Sequence, residues 1–226
     1  ADNAEVVVAA KAASVTAFAG AELTNFLAQV FGRAVPLVAR PTDGKTSIIL
    51  GENEWSKAAG IDVSSAPTDT FVVKAEGNRV YIVGRDDPAL GMRGVLNGGG
   101  YGQLFGHERA TLHGVYDFLE RHAGVRFYFP DEELGTVVPR QASVVVPDGV
   151  RKVTPDFLLR NPYFGGDGKC IFVRWINYYS YDNEYNPTYS PSTVNPSSRG
   201  GYMVIDVENK MILDSGEGHD VEWHAD

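Results

Sequence analysis

Over the first 160 residues the apolar positions change their period from patch to patch, alternating in some segments and recurring every three to four residues in others, as strands interleaved with helices require. "EVVVAA" (5–10) is a short, uniformly apolar run expected to form a buried strand. From Thr16 to Phe31, Leu23, Phe26, Leu27, Val30 and Phe31 fall at helical spacing, and Gly32 follows where a left-handed C-cap would sit. "AVPLVAR" and "TSIILG" are strand-like. Residues 69–86, "DTFVVKAEGNRVYIVGRD", are the clearest hairpin, two β-branched and aromatic runs joined through "EGN", where Gly77 and Asn78 tolerate positive φ. A glycine-rich loop, "GMRGVLNGGGYGQLFG", leads to a second helix expected to begin near His107 or Glu108 and to stop at Gly124. "VRFYFP" and "ASVVVP" (142–147) add further strands, which makes residues 1–160 an α+β domain.

After Arg160 the pattern dissolves. Residues 161–202 are rich in Tyr, Asn, Pro, Ser and Gly with little periodicity, the profile of a long arm ordered by its contacts. Its tyrosines argue against plain disorder, because such side chains pack or bind. "GYMVIDVENKMILDSG" then predicts a last hairpin with Glu208 to Lys210 at the turn. The chain therefore divides into a domain, 1–160, and a loop-rich extension, 161–226, that ends in a hairpin.

Composition narrows the partners. The 226 residues are 43% hydrophobic, enough for a packed core, and carry 29 acidic against 20 basic side chains, a net charge of −9. With no basic patch to offset it, that charge opposes binding to nucleic acid or anionic membranes. No apolar run approaches the roughly 20 residues of a membrane span. The start, "ADNAEVVVAA", has neither an initiator Met nor a signal-peptide apolar region, as expected of a chain that is processed or trimmed; this fits an exported protein, secreted, periplasmic or at the cell surface. One cysteine, Cys170, excludes an intrachain disulfide and a multi-thiolate metal site. Proline blocks both sequon-like stretches, at Asn186 and Asn195.

The densest chemistry lies in "LHGVYDFLERHAGVRFYFP" (112–130), which places His113, Asp117, Glu120 and His122 within about three helical turns. His113 and Asp117, one turn apart, could share a metal, but two ligands fall short of a catalytic zinc site. The apolar stripe Leu112, Val115, Tyr116, Leu119 and Ala123 points instead to a structural helix whose Asp117, Glu120 and Arg121 cover its wet face. "GGGYGQLFG" (98–106) has a Gly-x-Gly spacing but neither a strand directly before it nor a Lys-Ser/Thr pair after it, so a surface loop is expected there rather than a phosphate cradle. Asp220, Glu222, His224 and Asp226 would share one face of an extended segment and could hold a divalent ion; as a polar chain end they more readily fray. No nucleophile elbow, His-Glu-x-x-His helix or Walker loop occurs. The residues call for no cofactor and no resident metal.

As a set, "GAELTNFLAQVFGRAVPL", "SIILGE", "DTFVVKAEGNRVYIVGRD", "LHGVYDFLERHAGVRFYFP" and "TPDFLLR" resemble the non-catalytic N-terminal domain of α-glucuronidases and related secreted proteins, which is similar in turn to the second domain of β-hexosaminidases. The resemblance covers about the first 160 residues. It implies a mostly antiparallel sheet with both helices packed on one side, the 112–130 stretch serving as scaffold, and catalysis located in a following (β/α)8 barrel. Such a barrel takes on the order of 250 residues, and 66 (226 − 160) remain here. The resemblance also implies that Arg160, at the barrel entry, could contact sugar hydroxyls.

The expected role is thus a non-catalytic, carbohydrate-associated accessory module, with Arg160, Tyr178, Tyr179, Tyr181, Tyr185 and Tyr189 as candidate glycan contacts and no catalytic residue. Two alternatives stand beside it. One is a self-assembling surface or fibre protein that exchanges strands through its C-terminal arm; the other is a fragment of a glycoside hydrolase whose barrel is missing.

Overall fold

The computed structural model describes residues 3–91, 108–128, 135–155, 202–206 and 211–215. In chain order these form β1 (Ala4–Val8), α1 (Ser14–Phe31), β2 (Leu37–Val38), β3 (Thr46–Leu50), α2 (Glu54–Ala58), β4 (Phe71–Glu76), β5 (Arg79–Gly84), α3 (Ala110–His122), β6 (Arg126–Phe127), β7 (Thr136–Val137), β8 (Gly149–Val153), β9 (Tyr202–Asp206) and β10 (Met211–Ser215).

One sheet, ordered β2-β1-β3-β5-β4-β8, carries the domain. Because side chains alternate across a strand, the sheet has two apolar faces. On one, Val6, Ile48, Leu50, Phe71, Val73 and Ile82 meet α1 and α3, which supply Leu23, Phe26, Leu27, Leu112, Tyr116 and Leu119. On the other, Val7, Ile49, Val72, Tyr81 and Val83 are covered by Ile61, Val63 and Trp55 from α2 and the segment after it. The α+β class and the placement of α1 and α3 on one side agree with the sequence. The sheet itself is mixed. β1 pairs in parallel with β2 and β3, and β3 with β5, whereas β4 runs antiparallel to β5 and β8. The parallel half arises because α1 carries the chain back across the sheet between β1 and β2, a connection that parallel neighbours require.

Local signals set the boundaries. α1 ends at Gly32, φ 71 and ψ 20, the left-handed geometry expected of it. The 69–86 hairpin forms in register, Glu76 opposite Arg79, with Gly77 at φ 60 in its two-residue turn. α3 starts two to three residues later than its apolar pattern suggests. It lies close on the sheet because residue 114 is glycine: a Cβ there would come within 2.6 Å of Ile82 Cγ2.

Three features depart from expectation. Residues 142–147, read as a strand, form no regular element and pair with none of the described strands; Val144 and Val146 turn onto the helix-side core while Val145 is 73% exposed. This segment follows a crossing of the helix ends, where the Gln141 amide donates to Val30 O at 2.9 Å and its side chain to Ala123 O at 2.8 Å. The strand lies further on, as β8 at the sheet edge, its "GVRKV" too polar to stand out. α2, only five residues long, is too short to leave an apolar period; its signal is an Asn53/Ser56 capping box, with Asn53 Oδ1 accepting from the Trp55 and Ser56 amides at 3.0 Å each and Ser56 Oγ accepting from the Asn53 amide at 2.9 Å. β9 and β10 pair antiparallel, Met211 opposite Asp206, as the last hairpin requires.

Candidate functional site

Two polar clusters flank α3. At its start, the exit of β5 and the entry to α3 are sewn together. Thr111 Oγ1 bonds both the N–H and the C=O of Gly84, at 3.2 and 3.1 Å, and the Asp87 amide donates to Glu108 O at 2.9 Å. Gly84 permits this closeness, since a Cβ there would lie 2.5 Å from the Ala110 carbonyl carbon and 2.7 Å from the Thr111 nitrogen. Arg85 clasps Glu108 with two guanidinium nitrogens and donates a third bond to Ser64 O at 2.7 Å. Asp69, at φ 57, accepts from the Arg109 amide at 3.1 Å.

Asp86 sits within this seam. Its Oδ2 accepts from Thr16 Oγ1 at 2.6 Å and its Oδ1 from the Thr111 amide at 2.9 Å, so one half-buried carboxyl joins the first turns of α1 and α3. Loss of hydration is the dominant influence on it, with Asp69 adding repulsion; together these outweigh the hydrogen bonds and push its pKa up to about 6.

The second cluster lies midway along α3. Asp117 was expected on the wet face and is instead buried: its side chain is 2% exposed and held between Arg121 Nε, at 2.8 Å, and Arg151 of β8. The reason is β8 itself, whose residue 151 shares the helix side of the sheet with its partner Val73 and so faces α3. Glu120 and Arg121 do face solvent in part. His113 is buried in the helix layer, and Tyr116 Oη donates to Glu22 Oε2 at 3.0 Å across the helix pair. His122 packs against Phe118, ring centroids 5.3 Å apart, and its burial lowers its pKa. On the opposite sheet face, buried Glu5 accepts from the Thr42 amide at 2.6 Å and Ser47 Oγ at 2.9 Å; burial works against the charge, but these bonds and Lys45 carry its pKa below the ordinary carboxylate value.

Among the described residues, no three His, Cys, Asp or Glu side chains come together as a metal site requires, and no helix is long and apolar enough to cross a membrane. Arg160, Tyr178, Tyr179, Tyr181, Tyr185 and Tyr189 lie outside the described residues, as do the 98–106 glycine loop and the Asp220–Asp226 cluster. Asp86 is not legible in the sequence because its two partners, the Thr16 hydroxyl and the Thr111 backbone amide, lie 70 and 25 positions away along the chain; its one signal is an acid closing a hydrophobic hairpin.

No protein-family model matches the chain, and no curated relative does. The solved structures it is similar to are glycoside hydrolases, matched in part and at low identity. One is a family GH115 4-O-methyl-α-glucuronidase with specificity for decorated arabinogalactans, at 14% identity and TM-score 0.39, covering 68% of this chain and 17% of that one. Another is the GH20 β-N-acetylhexosaminidase of Streptomyces coelicolor A3(2), at 13% identity and TM-score 0.42, covering 72% and 24%. A third is a GH138 enzyme targeting pectin rhamnogalacturonan II, at 19% identity and TM-score 0.35, covering 70% and 13%. The chain spans less than a quarter of the length of each of these structures.

Proposed function

We propose that this chain acts as a non-catalytic, carbohydrate-associated accessory module of an exported protein related to glycoside hydrolases. The observation that carries this role is the fate of Asp117: the acid in the most reactive-looking stretch of the sequence is buried between two arginines, where it joins α3 to β8. A hydrolytic acid or nucleophile must instead face the scissile bond across a space that admits sugar. Asp86, Glu5 and Glu22 are likewise engaged in ties between elements. The motif resemblance of residues 1–160 supports the link to carbohydrate. In this role Arg160 and Tyr178, Tyr179, Tyr181, Tyr185 and Tyr189 supply the glycan contacts, guanidinium to hydroxyls and rings to sugar faces.

Affinity electrophoresis of the full chain through gels containing xylan, arabinogalactan or pectin tests this. Retardation by at least one glycan, abolished in Arg160→Ala or in the variant with all five tyrosines changed to Ala, is expected. Unretarded migration through all three would overturn it. The pairing of β9 with β10, together with the edge position of β8, favours a second role, strand donation to a neighbouring copy. Light scattering over a concentration series separates the two, since a mass independent of concentration ends the assembly role.

A further inference from the structure

We propose that Thr16, Asp86 and Thr111 form a proton-responsive clasp, in which proton uptake by the Asp86 carboxyl tightens the join between the start of α1, the exit of β5 and the start of α3, and proton loss loosens it. The geometry supplies both states. As a carboxylate, Asp86 accepts from Thr16 Oγ1 at 2.6 Å and from the Thr111 amide at 2.9 Å. As a neutral carboxyl it keeps the Thr111 bond through one oxygen, while its own O–H donates to Thr16 Oγ1, which can reverse its role because a hydroxyl is both donor and acceptor. Neither state loses a contact, so the difference between them is electrostatic.

The charged groups around Asp86 decide its sign. Asp69, entering β4, repels a second negative charge. The guanidinium of Arg85, next in sequence, is occupied by Glu108 and Ser64 O. Arg109 pairs through its backbone as a bridge with Asp86 and gives its amide to Asp69. The first turn of α1 contributes no acid. Two helix starts favour the anion, but half-burial and Asp69 outweigh them, in line with a pKa near 6 in the folded protein.

The test is amide hydrogen exchange on the full chain between pH 5 and pH 8, corrected for intrinsic rates, with Thr111 and Ala17 as reporters. A carboxyl that titrates near 6 when clasped and at its ordinary value when open makes local opening about tenfold rarer at pH 5 than at pH 8. Asp86→Asn, which can accept from Thr111 and donate to Thr16 without titrating, is expected to give the slow rate at both pH values. A wild-type profile equal to that of Asp86→Asn would overturn the clasp. A carbon-detected NMR titration of the wild-type Asp86 carboxyl stands independently of any variant: a midpoint near 6 is expected, and one near the ordinary aspartate value overturns the proposal.

Discussion

Asp86 and Asp117 are two aspartates withdrawn from water against the same helix, and the fold treats them differently. Asp117, mid-helix, is met by the full charges of Arg121 and Arg151; Asp86, at the helix start, is met by a hydroxyl and an amide, with a second acid nearby. Burying a carboxylate costs several kcal/mol unless opposite charge offsets it. Where arginines provide that offset the acid becomes a fixed strut; where neutral donors do, the acid retains a proton equilibrium close to neutrality. Burial alone therefore does not distinguish scaffold from switch. The character of the partners does.

The contrast can be broken most forcefully at Asp117. Replacing both Arg121 and Arg151 with Met leaves a buried anion uncompensated and is expected to cost about 3–5 kcal/mol in urea unfolding, while adding Asp117→Asn recovers a large part. Recovery by the triple variant separates lost charge balance from lost packing. At Asp86 the same neutralisation is stabilising without any prior change to its partners. The folded protein holds this proton more tightly than the unfolded chain, so its contribution to stability is complete below the ordinary aspartate value and is lost as pH rises toward about 6, after which it stays flat. Asp86→Asn is accordingly expected to be more stable than wild type by about 2 kcal/mol at pH 8 and about equal to it at pH 4, read from urea midpoints at the two pH values.

Between these in location, Tyr116 ties α3 to α1 through a neutral donor and Glu22. Tyr116→Phe keeps the ring packing on Phe127, centroids 5.6 Å apart, and is expected to cost about 1 kcal/mol, the ordinary worth of one such bond. The smallest effect belongs to the solvent side of β8. Val150, 66% exposed, neighbours Arg151 in sequence but points away from Asp117, and Val150→Lys is expected to shift stability by less than about 0.5 kcal/mol.

What the sequence disclosed follows the range of the interactions involved. α1, the 69–86 hairpin and the body of α3 were legible because period and turn chemistry are local. β8 was not, since an edge strand needs a single apolar face and "GVRKV" places Arg151 on its inner side to reach α3. The burial of Asp117 follows from that same contact, 34 residues distant. The parallel pairing of β1, β2 and β3 was equally hidden, because apolar runs do not encode direction. The Asp86 seam depends on Thr16, 70 positions away, and no spacing rule reaches that far.

The proposed glycan-associated role of the chain is tested most directly by calorimetric titration of the full chain with uronic-acid-bearing oligosaccharides. Saturable heats that return to baseline after each injection are expected of binding without cleavage. A sustained heat that scales with protein concentration, the signature of turnover, would contradict it, as would the absence of any heat.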